Sequence, residues 1–82
     1  MQLEFEAILT SDLPEAEKLT QAYRFIIQDQ IAITRREIEL QQALGDQEAL
    51  IKEKIKLGML EYTSGIFAFC YLRVTGRKLI NG

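Results

Sequence analysis

The chain has no histidine and no tryptophan, one cysteine and one proline. Each scarcity removes a class of explanation. Without His, neither a Ser-His-Asp nor a Cys-His nucleophilic site can be assembled within one chain, and the Glu-x-x-His pairs that hold metals in helical bundles are missing as well. Cys70 can form no intrachain disulfide, and such sparse cysteine use fits a reducing compartment. Flanked by Phe69 and Tyr71, its thiol reads as core filler rather than as a reactive thiolate. The glycines Gly45, Gly58, Gly65, Gly76 and Gly82 are scattered, so no phosphate-binding loop matches. The longest apolar run, Ile66 to Leu72, is too short to span a bilayer. Met1 to Leu9 carries Glu4 and Glu6 and no basic residue, unlike a signal peptide. Ten basic and twelve acidic residues leave a net charge of -2, which gives no bulk attraction to nucleic acid or to an anionic membrane. The expectation is a soluble, cytoplasmic, non-enzymatic protein without metal or cofactor.

What is present is globular in character. Hydrophobic residues make up 48% and charged residues 27% of the chain, a balance that argues against disorder. The 82 residues are read as one domain, and a core that small gains from association with something else.

From Glu15 to Leu44 there is no Pro or Gly, and Ala16, Leu19, Tyr23, Ile26, Gln30, Ile33, Glu37, Leu40 and Leu44 keep an unbroken 3,4 spacing. This predicts a long first helix over 12–44, with Asp12 as N-cap, Pro14 in the first turn and Glu15 in a capping-box position. Gly45 can take the left-handed conformation that closes a helix, and Asp46 can cap the next one. A second helix is predicted over 46–75, with Ile51, Ile55, Met59, Tyr62, Ile66 and Phe69 on one face, Gly76 as its stop and 76–82 as a tail. Gly58 and Gly65 are read as permitting close approach of a neighbouring helix.

Residues 1–10 alternate, Leu3, Phe5, Ala7 and Leu9 against Gln2, Glu4, Glu6 and Ile8, which predicts an extended arm or strand. Residues 66–75 are rich in β-branched and aromatic side chains between Gly65 and Gly76, so an α+β fold with β-α-α-β order is the alternative. The leading fold class is all-α: an antiparallel helical hairpin with a short N-terminal extended segment, dimerising into a four-helix bundle.

Both helices carry a second apolar stripe. With the 3,4 series taken as the seam inside the hairpin, Ile27, Ile31, Ile38, Leu60, Phe67 and Tyr71 fall beside it and form the expected dimer or partner interface. Gln30 and Glu37 interrupt the seam and are read as buried polar groups that set register. The sharp turn places Tyr23 level with Phe67. Basic clusters at Arg35-Arg36 and at Lys52, Lys54 and Lys56 are diluted by neighbouring Glu residues and read as solvated surface. Arg73, Arg77 and Lys78 are less diluted and could form a patch for an anionic partner.

No motif selects a family. The functional expectation is a small protein–protein interaction module, an adaptor, chaperone or regulator, that forms a homodimer and binds a protein partner. The alternative is a small nucleic-acid-associated regulator using the C-terminal basic cluster.

Overall fold

The computed structural model describes residues 2–78; the tail positions 79–82 of the sequence reading lie outside them. Three helices follow one another: α1 (Gln2–Leu9), α2 (Glu15–Leu44) and α3 (Gln47–Thr75). α2 and α3 lie against each other as an antiparallel hairpin, and α1 packs on α2 alone. α2 has 30 residues, about 45 Å of helix at 1.5 Å per residue, which sets the 46 Å long dimension of the molecule.

The all-α expectation holds, and the described residues contain no strand. The extended N-terminal segment is a correction. Leu, Glu and Ala favour helix over strand, and only Ile8 is β-branched within α1. An isolated strand would also leave its backbone groups without a ladder, whereas a helix satisfies them internally. Phe5 anchors α1 by packing on Phe25, ring centroids 5.7 Å apart. The Ser11 hydroxyl donates to the Ile8 carbonyl at 2.7 Å, and the Thr10 hydroxyl to that of Glu6 at 2.9 Å, which closes the end of α1.

The β-α-α-β alternative is likewise corrected, since 66–75 continue α3 without a break. Phe67 and Tyr71 recur at helical spacing on the half-buried side of this segment, with Phe67 stacked on Tyr23, and such packing outweighs local propensity.

The reversal between α2 and α3 follows the expected chemistry. Gly45 has φ 74°; its N–H donates to the Gln42 carbonyl, and the Asp46 N–H donates to that of Gln41, both at 3.2 Å. These are the paired bonds of a Schellman ending. The Asp46 carboxylate then accepts from the Ala49 N–H at 3.1 Å and caps α3. Gly76, with φ 71°, ends α3 in the same conformation. The start of α2 differs from the reading: Pro14, not Asp12, occupies the N-cap position, and no side chain caps the helix. Pro14 holds an extended backbone ahead of Glu15 and supplies its carbonyl to the Lys18 N–H at 2.8 Å.

Candidate interaction surface

The hairpin interior is built from Tyr23, Ile27, Ile31, Thr34 and Ile38 of α2, opposed by Leu50, Leu57, Leu60, Ser64, Phe67 and Tyr71 of α3, all buried or half-buried. Ile31, Leu50 and Thr34 are the most enclosed, at 7%, 8% and 1% exposure. The level of the two helices is as expected: Tyr23 and Phe67 stack with ring centroids 4.3 Å apart. Polar ties run along the edges. Arg35 Nη2 donates to Glu61 Oε2 at 3.0 Å. Near the open end, the Tyr71 hydroxyl donates to Glu17 Oε1 at 3.4 Å, and Arg77 Nη2 lies 3.7 Å from Glu17 Oε2.

The two faces of the sequence reading are therefore interchanged. Ile27, Ile31, Ile38, Leu60, Phe67 and Tyr71, expected as the outer interface, lie within the hairpin. The 3,4 series expected as its seam lies largely outside: Leu19, Ile26, Ile33, Leu40 and Leu44 on α2, and Ile51, Ile55, Met59, Tyr62, Ile66 and Phe69 on α3, are 40% to 73% exposed. Gln30 and Glu37 explain the exchange. Turned inward, they would have put an amide and a carboxylate into the core, at a cost of a few kcal/mol if unpaired. The chosen interior carries the small Thr34 and Ser64 at its centre and places the cross-helix charge partners at its edges; the one carboxylate on its α3 side, Glu53, is half-buried 3.4 Å from Lys56. Gln30 is exposed, and Glu37 is half-buried with its carboxylate 3.3 Å from the Gln41 side-chain amide of its own helix. Neither sets the hairpin register.

The outer apolar stripes do not form one surface. At 100° per residue, the α3 stripe falls on the far side of that helix from the residues packed on α2, while the α2 stripe lies roughly at right angles to its own packed face. α3 is consequently apolar on two opposite sides. A helix with that pattern belongs inside a larger core or a membrane, and no helix among the described residues is long and apolar enough to cross a membrane.

The remaining sequence candidates are dispersed. Cys70 is exposed rather than core filler. Arg73, Arg77 and Lys78 are exposed, but Arg77 is drawn back onto the hairpin by Glu17 and sits with its guanidinium 5.7 Å from the Tyr71 ring centroid. The basic cluster is thereby divided. Among the described residues no group of His, Cys, Asp and Glu is placed to hold a metal ion. A shallow recess of about 450 Å³ between α1 and α2 is bordered by Ile8, Phe25, Arg24 and Asp29 and is open to solvent.

The chain matches no protein-family model, no curated protein and no solved structure. Its functional reading rests on its own residues and geometry.

Proposed function

We propose that this protein is a small non-enzymatic interaction module, an adaptor, chaperone or regulator, that works as a homodimer and engages a protein partner through its outer apolar stripes. The observation that carries this reading is the two-sided apolarity of α3, together with the Ile and Leu residues of α2 left outside the hairpin. Area supports it. The chain exposes 6240 Å², whereas a compact chain of 9.4 kDa exposes about 5000 Å². The excess exceeds the roughly 800 Å² that each partner contributes to a standard interface. Two hairpins meeting through the outer face of α3, four helices in all, are the simplest way to cover it. The α2 stripe Leu19, Ile26, Ile33, Leu40 then remains for a partner helix with an apolar face, read at its own helical spacing.

Two measurements test this. Sedimentation equilibrium of the full chain is expected to give a dimer, and a strictly monomeric particle at high concentration overturns the homodimer. In a pull-down, a protein retained by the wild type is expected to be lost with Ile33→Glu, a variant whose circular dichroism should match the wild type. Retention by both removes the α2 stripe as the partner site.

A further inference from the structure

Gly58 and Gly65 lie mid-helix, where glycine costs about 1 kcal/mol relative to alanine. Nothing among the described residues accounts for them. Neither has a positive φ, and a Cβ built on either would meet nothing within 4 Å. The hairpin does not need them.

Their position on α3 supplies a reason. Ile51, Ile55, Gly58, Tyr62, Gly65, Phe69 and Leu72 follow one another at spacings of 4, 3, 4, 3, 4 and 3, and every one is exposed. This is a heptad seam on the side of α3 away from α2. Within its central stretch it alternates large and absent side chains: Ile55, Gly58, Tyr62, Gly65, Phe69. At Gly65 the surface is shallowly concave, bordered by Glu61, Tyr62, Ile66 and Phe69 and wide open to solvent.

We infer that this seam is the contact between two copies of the chain, with the two α3 helices antiparallel and the aromatic rings of each seated over the glycines of the other. The inference rests on the interaction-module reading above and names the face that its dimer uses. Orientation follows from the alternation. In a parallel pair like meets like, so Gly58 would face Gly58 and Tyr62 would face Tyr62, stacking empty layers on overfilled ones. Both faults cost stability. In an antiparallel pair each large side chain meets the opposite kind of position, and the layers fill evenly. Of the antiparallel registers, one seats both aromatics over glycines: Tyr62 over Gly65 of the second copy, Phe69 over Gly58, with Ile55 meeting Leu72. Met59 and Ile66 then meet along one flank and extend the apolar contact. Lys52 comes level with Arg73 of the second copy at the solvent rim, where Glu48, 4.0 Å from Lys52, offsets the like charges. Close approach at Gly58 and Gly65 supplies the reason for two residues that otherwise weaken the helix.

Gly65→Leu in the full chain tests this directly. Within the hairpin the substitution is expected to raise thermal stability, because leucine is the better helix former and a Cβ at this position meets no described atom within 4 Å. Self-association, read by sedimentation equilibrium, is expected to weaken by roughly tenfold or more, as a filled glycine seat forces the helices apart. A dimer as tight as the wild type overturns the proposal. Orientation is read separately: in a Cys70→Ser background, a Met59→Cys chain mixed with an Ile66→Cys chain is expected to yield a mixed species with a short thiol cross-linker. A dimer that persists but gives no mixed species overturns the antiparallel register and leaves the interaction-module reading standing, whereas a monomeric wild type defeats the homodimer as a whole.

Discussion

Tyr23 of α2 stacks on Phe67 of α3, with ring centroids 4.3 Å apart and planes 22° from parallel. The pair ties residues 44 positions apart and sets the level at which the two helices meet. Phe67→Ala should destabilise the hairpin by about 2–4 kcal/mol through lost burial and stacking, measured as a lower midpoint of urea unfolding. Because the ring lies inside the hairpin, loss of partner binding by this variant should track the unfolded fraction and disappear under conditions where the variant is folded.

Thr34 is the most enclosed of the described side chains, and among the described residues its hydroxyl Oγ1 finds no hydrogen-bond partner. Thr34→Val keeps the shape and removes the unsatisfied group. A gain of about 1 kcal/mol is expected, seen as a higher denaturation midpoint with an unchanged slope; a loss of stability would show that the hydroxyl is satisfied in solution.

At the reversal, Gly45 and Asp46 act by separate means. Gly45→Ala should cost about 1–2 kcal/mol because φ 74° is unfavourable for a residue with a Cβ. Asp46→Ala should cost about 1 kcal/mol through loss of the α3 cap. Thermal unfolding of both variants separates them from Gly58→Ala, where the helical backbone is ordinary and the sign should reverse to a gain of about 1 kcal/mol in the hairpin.

The Arg35 to Glu61 ion pair, at 3.0 Å, has side chains 61% and 49% exposed. Solvent screening limits such a pair to roughly 0.2–1 kcal/mol. A double-mutant cycle with Arg35→Gln and Glu61→Gln should give a coupling energy in that range, falling as salt rises; a larger value would mean that the pair is shielded, for example by a second copy at the neighbouring Tyr62.

The helices and their reversal were legible from the residues because the signals are local. An uninterrupted run from Glu15 to Leu44, Gly45 able to take positive φ and Asp46 able to cap the next helix need no tertiary information. The meeting of Tyr23 with Phe67 followed from the tightness of that turn. The inner face did not follow, since both stripes of each helix keep the 3,4 period and both are apolar. Periodicity gives the angle between residues, not the direction that points inward. Charge would have helped: Arg35 with Glu61, and Glu17 with Arg77, pair across the hairpin only when Ile31 and Phe67 point in, and Gln30 and Glu37 are harmless only when they point out. α1 is ambiguous in the sequence for a simpler reason: Leu3, Phe5, Ile8 and Leu9 satisfy a period of 2 nearly as well as one of 3.6.

The single reversal at Gly45 and Asp46 also orders assembly in time. Once α2 and α3 turn back on each other, each successive contact lies one helical turn further out, so the loop closed at every step is scarcely longer than the one before. Leu50 should meet α2 early, Ile31 and Leu60 next, then Tyr23 and Phe67, with Glu17 joining Tyr71 and Arg77 last. Such a chain should fold quickly from its hinge and open from the other end, where the Glu17 ties hold the final turns of the zipper.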